Sequence, residues 1–154
     1  MAEEIILLDW NRIAEIAIKA RYDLNLTQQD VSIAANVSKP LIVNFEKGRT
    51  NITIDNILKI LNALHLEGDN NDLILMKWKT FVRIATYRRY DLIISKPKLA
   101  ELSGVCVNVI IDFEKGHSHM GLNRIIAILR VLKLTKSEMV GEKDNIGKRK
   151  KRVH

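Results

Sequence analysis

The chain has 154 residues, enough for one ordinary domain or two small ones, and its 47% hydrophobic and 5% aromatic content, rich in Ile and Leu, suits small helical bundles. A formal charge of +7 and a pI near 9.6 make nucleic acid a candidate partner. One Cys excludes an internal disulfide framework, no apolar run reaches membrane-spanning length, and Glu3 and Glu4 stand where a signal peptide needs positive charge, so a soluble cytoplasmic protein is expected.

Asp9 is placed to cap a helix from Trp10 to about Asp23, with Ile13, Ala17 and Ala20, or Ile16 and Ala20, as its apolar stripe. The next stretch, Leu26 to Gly48, predicts two short helices around a tight corner. The first runs from about Gln28 to Ala35, with Thr27 as N-cap and Asp30 as the acidic half of a capping box. Asn36 sits where the chain must turn, because Asn tolerates the left-handed conformation better than any residue but Gly. Ser38 then caps a second helix, Lys39 to Lys47, whose first turn tolerates Pro40. Ile42 and Phe45 should face inward, Lys39 and Asn44 outward, and Gly48 closes the helix. This is the layout of a helix-turn-helix. Thr53 caps a further helix in which Ile54, Ile57, Leu58, Leu61 and Leu64 follow helical spacing.

Sliding the sequence by 68 residues aligns Ile5–Leu66 with Leu73–Leu134 without a gap, and 20 of those 62 positions are identical, which marks a tandem duplication. The shared residues include Trp10 and Trp78, the run RYDL at Arg21 and Arg89, and FEKG at Phe45 and Phe113. The link between copies, Glu67 to Asp72, is short and polar, so the copies are expected to pack together. A tail from about Ser137, ending in GKRKKRVH, reads as disordered.

Leu26, Thr27 and Gln28, then Ala35, Val37 and Ser38, Ile42, and finally Glu46 and Gly48 fall in register on the pattern of the Cro-like phage-repressor (XRE) helix-turn-helix family, which the chain resembles here. Asn36 replaces that pattern's usual Gly, and Leu41 and Val43 take positions that are commonly polar, leaving fewer side chains to read bases. The resemblance implies an ion pair between the first and reading helices, Arg21 with Glu46, repeated as Arg89 with Glu114, whose role is orientation rather than ligand contact. Major-groove reading puts the N-terminal half of the second helix against base edges, so Lys39 and Asn44 are the candidate base contacts. Gln28, as in the family, and Gln29 begin the preceding helix, where a phosphate is met. Lys47, Arg49, Thr50 and Asn51, around and beyond Gly48, would add phosphate contacts.

The second copy departs from the pattern where recognition would occur. Gln28 and Gln29 become Lys96 and Pro97, and the reading helix becomes VNVIIDFEK, with Asp112 where Asn44 stood. An Asp facing the groove repels phosphate, although it can accept from a cytosine amine. Residues 1–68 carry a net charge of −2, residues 69–136 carry +6 and the tail +3. One resolution is that the first copy reads bases while Lys96, Lys98, Arg88, Arg89 and the tail's Lys148, Arg149, Lys150, Lys151 and Arg152 grip the DNA backbone. The other is that the second copy binds protein through exposed Val107, Val109 and Ile111.

His117 and His119 form an HxH pair without further Cys or His nearby, so no metal site is expected, and Cys106, at the cap position matching Ser38, reads as an inert small residue. No nucleophile, base and acid cluster or Gly-rich phosphate loop points to an enzyme, and no cofactor is implied. The expected architecture is all-α: two tandem lambda-repressor-like helix-turn-helix domains of four to five helices each, residues 1–68 and 69–136, then a basic tail, 137–154. The expected function is sequence-specific transcriptional regulation on double-stranded DNA, associated with the nucleoid when bound. A protein-interaction module, an antitoxin or co-regulator, is the alternative. A homodimer and a protein partner through the second domain both stay open.

Overall fold

Capping decides where each helix of the first half begins. In the computed structural model, which describes residues 8–66 and 77–135, α1 spans Trp10–Asp23, with the Asp9 carboxylate accepting from the Arg12 N–H. Helix α2, Gln28–Ala35, starts on a complete capping box. The Thr27 hydroxyl accepts from Asp30 N at 3.0 Å and Asp30 accepts from Thr27 N at 2.9 Å. That backbone hydrogen bond is the first cause holding the Asp30 carboxyl below the usual carboxylate range, with the Thr27 hydroxyl second. Asn36 takes the left-handed corner at φ 58°, and Ser38 caps α3, Lys39–Glu46. Gly48, at φ +80°, follows the end of α3 in the left-handed region. Thr53 caps α4, Ile54–Ala63.

Helices α5 (Trp78–Asp91), α6 (Lys96–Ser103), α7 (Val107–Glu114) and α8 (Leu122–Val131) stand in the same order. The packing repeats as well: α1 lies on α3 and α2 on α3 and α4, while α5 lies on α7 and α6 on α7 and α8. Among the described residues there are eight helices, and none is long and apolar enough to cross a membrane. The expected link at 67–72 and tail from 137, including Lys148, Arg149, Lys150, Lys151 and Arg152, lie outside the described residues.

The core of each half is built on a tryptophan. Trp10 meets the edge of Phe45 with ring centroids 5.3 Å apart, and Trp78 meets Phe113 at 5.7 Å. Ile42, Ile60, Ile110 and Ile128 are fully buried around them, each contributing about 1.5–3 kcal/mol of apolar burial. Of α1's two expected stripes, Ile13 and Ala17 are buried with Trp10 and Ala14, while Ile16 and Ala20 are half-buried against the same cluster.

A unit of about 60 residues buries too little surface to be more than marginally stable, and the two halves here share one continuous apolar cluster. Their junction is reciprocal. Ile54 N donates to Met120 O at 2.9 Å and Leu122 N donates to Ile52 O at 2.7 Å, around an antiparallel bridge between Thr53 and Gly121. Each of these positions is 68 residues from its counterpart, so the bridge lies on a local pseudo-two-fold axis. A cavity of about 40 Å³ beside it is lined by matching pairs, Trp10 with Trp78, Ile13 with Phe81, Ile54 with Leu122 and Ile57 with Ile125. Away from the axis, Leu8 N donates to Leu134 O and the Thr135 hydroxyl donates to Leu8 O at 2.7 Å.

Capping is where the halves differ most. In α5, α7 and α8 the N-cap positions hold Lys77, Cys106 and Gly121, none of which makes a side-chain cap, and only Ser95 at α6 still does. Replacing Cys106 with Ser should therefore restore the bond that Ser38 makes to Leu41 N, stabilising the chain by about 1 kcal/mol and raising Tm by about 2–4 °C in thermal unfolding.

Candidate nucleic-acid interface

Helix α3 is set by a buried ion pair. Arg21 Nε donates to Glu46 Oε2 at 2.6 Å and Nη2 to Oε1 at 3.1 Å, while Nη1 donates to the Leu26 carbonyl at 3.0 Å. One guanidinium thus ties α1, the α1–α2 connection and the end of α3 together. Its counterpart Arg89 does the same with Glu114 at 2.6 and 2.9 Å and with the Ile94 carbonyl. Arg21 is 7% exposed and Arg89 5%, and the carboxylate hydrogen bonds are the first cause that holds each guanidinium above its already high range. Such pairs add little net stability against their desolvation.

Gln28 joins this network. Its amide nitrogen donates to Glu46 Oε1 at 3.0 Å and the residue is half-buried, so the amide expected on a phosphate is largely committed to the ion pair. Sequence reasoning missed this bond, although the signal was present: Oε1 of a helix-end Glu can accept twice, and Gln28 stands at the facing helix start. Gln29, next along α2, is exposed.

On α3, Lys39 is exposed at the N-terminal turn and Asn44 is half-buried one turn further along. Lys47, Arg49 and Asn51 are exposed and Thr50 is half-buried. The indole of Trp10 fixes that loop. Its Nε1–H is shared between the Gly48 carbonyl at 3.1 Å and the Arg49 carbonyl at 3.3 Å, and Trp78 makes the same forked bond to Gly116 and His117. The recurrence of tryptophan at a spacing of 68 was the sequence signal for this anchor.

The second half corrects several expectations. Arg89 is buried on Glu114, as the expected ion pair has it, and so is not available to phosphate, while half-buried Arg88 donates through Nε to the Leu132 carbonyl at the end of α8 at 2.9 Å. Val107, Val109 and Ile111 are half-buried rather than exposed, because α7 is an eight-residue helix that packs on both α5 and α6. Lys98 is exposed, 3.4 Å from Glu101, and Lys96 is half-buried. The Asp112 carboxylate is flanked by both imidazoles, with His117 Nδ1 at 3.7 Å and His119 Nε2 at 3.5 Å. Among the described residues no group of His, Cys, Asp and Glu is arranged to hold a metal ion. Between the two histidines, Ser118 crosses the junction, its hydroxyl donating to Asp55 and its carbonyl accepting from Asp55 N.

In outline, the first half presents a cationic and amide surface on α3 and the loop after it, while the second presents an apolar, acid-bearing α7 beside two lysines. No curated protein and no solved structure matches the chain. Residues 18–69, about a third of the chain, match the model of a helix-turn-helix family of the XRE type, a DNA-binding regulatory domain.

Proposed function

We propose that the chain is a sequence-specific transcriptional regulator in which two repressor-like helix-turn-helix domains, in tandem, form a covalent counterpart of a two-fold dimer. The family match over residues 18–69 supports DNA as the ligand, and the reciprocal pairing of Ile52 and Ile54 with Met120 and Leu122 is the observation that carries the dimer-like reading. Helix α3 reads bases through Lys39 and Asn44. Gln29, Lys47, Arg49, Thr50 and Asn51 contact phosphate, and Gln28 orients Glu46 rather than gripping the backbone. The second domain adds Lys96 and Lys98 to the phosphate grip, and it places the Asp112 carboxylate, flanked by His117 and His119, where Asn44 stands in the first.

Because α3 and α7 differ, the preferred site is asymmetric: one half-site read in detail, the other held through its backbone. The alternative module would bind protein on α7, whose Val107, Val109 and Ile111 are half-buried to the same class as Asn44 on α3. Sedimentation of the complex with a duplex selected from a random pool tests the reading. One chain per duplex is the expected stoichiometry, with a non-palindromic selected sequence. Two chains on a palindrome would place the dimer axis between molecules instead of within one.

A further inference from the structure

The outer stripe of α5 differs in chemistry from the matching stripe of α1, and the duplication makes that comparison position by position. Along α1 the exposed or half-exposed stripe runs Asn11, Glu15, Lys19 and Tyr22, with Lys19 paired to Asp23 at 2.8 Å. Along α5 the same positions hold Lys79, Arg83, Tyr87 and Tyr90, at spacings of four, four and three residues that keep them on one helix face. Beyond the helix end, Ile93 replaces Asn25. It is 91% exposed at φ 54°, a left-handed conformation that a β-branched residue adopts only at a cost.

Between this stripe and the end of α7 lies a groove of about 320 Å³, walled by Lys79, Arg83, Thr86, Tyr87, Lys115 and Glu114, the last a carboxylate already held by both hydrogen bonds from Arg89. Among the described residues none of its three cations stands within ion-pair distance of a carboxylate. The cations are also badly placed for the helix itself. Lys77 takes the N-cap position where α1 has Asp9, Lys79 follows in the first turn, and no acidic residue is there to meet the positive end of the helix dipole. The acidic cap that α1 has in Asp9 is thus lost at one end, and at the other Tyr87 and Ile93 are exposed, while Tyr90 keeps one face under the Arg89 guanidinium and the rest open.

We propose that this groove and stripe form a docking site for an acidic segment of a partner protein, its carboxylates on Lys79, Arg83 and Lys115 and its aliphatic or aromatic side chains on Tyr87, Tyr90 and Ile93. Charge complementarity selects the acidic end of that description, and the exposed tyrosines and isoleucine select the apolar end. The site lies at the Glu114 end of α7, away from the N-terminal turn that corresponds to the base-reading end of α3.

The test uses the full chain and a fluorescent synthetic peptide of interspersed Glu and Leu, with a poly-Glu peptide of equal charge as the control. Anisotropy should show the Glu-Leu peptide binding at least tenfold more tightly than poly-Glu. The double variant Lys79→Glu, Arg83→Glu should lose that binding, Tyr87→Ala should erase the preference over poly-Glu, and circular dichroism should report an unchanged fold for both. DNA affinity should be retained in each variant. Installing Asn11→Lys, Glu15→Arg and Lys19→Tyr on α1 should create a second peptide site, read as a doubled stoichiometry. Equal affinity for both peptides would reduce the patch to nonspecific charge and overturn the proposal. So would a Lys79→Glu, Arg83→Glu chain that keeps the Glu-Leu peptide but loses DNA, which would assign the groove to phosphate.

Discussion

Replacing Glu46 with Ala should destabilise the chain by about 3–5 kcal/mol, lowering Tm by on the order of 10 °C. The reason is what remains: a 7% exposed Arg21 whose two carboxylate hydrogen bonds are gone, and a Gln28 amide that has lost its acceptor. The paired change Arg21→Met with Glu46→Leu should behave differently, staying within about 1 kcal/mol of the parent or exceeding it, because a desolvated pair contributes little net stability. If the pair exists to orient α3, that double variant should fold and yet discriminate DNA sequences poorly. Thermal unfolding and duplex binding of the two variants check this together. A double variant with full discrimination would leave the recurrence of Arg89 and Glu114 without a reason.

The local parts of this fold were legible in the sequence because each is fixed by residues within a few positions of one another. Asp9, Thr27, Ser38 and Thr53 cap helices where their short polar side chains imply, and Asn36 and Gly48 take left-handed backbone where the chain turns. The parts that were not legible depend on distance. Backbone pairing of 52–55 with 118–122 uses N–H and C=O groups that every residue carries, so no side chain announces it. The same holds for Arg88, whose hydrogen bond to the Leu132 carbonyl exists only once α5 and α8 are packed. One of the two readings of the charge count put Arg89 on the DNA backbone although the same sequence paired it with Glu114, because a sum of charges does not distinguish a buried, paired guanidinium from a free one. On the candidate interface, residue types pointed to α3 and its following loop, while the diversion of Gln28 to Glu46 required the angle between α2 and α3.

The second large effect concerns the matched positions 44 and 112. Only an amide offers both donor and acceptor to adenine, a pairing worth roughly 1–3 kcal/mol of discrimination, so Asn44→Ala should lose between about fivefold and a hundredfold in selectivity with little change in binding to random duplex. Asp112→Ala should leave the preferred sequence unchanged and tighten binding to any duplex a few-fold, because a carboxylate near phosphate is removed.

Sequence-specific reading by α3 is tested most directly by measuring the affinity of the intact chain, and of the Asn44→Ala and Asp112→Ala variants, for a selected duplex and its scrambled counterpart at one salt concentration. A preference of about a thousandfold or more for the selected sequence is expected, reduced by Asn44→Ala and preserved by Asp112→Ala. Equal affinity for both duplexes, or a preference that disappears with Asp112→Ala and survives Asn44→Ala, would contradict it.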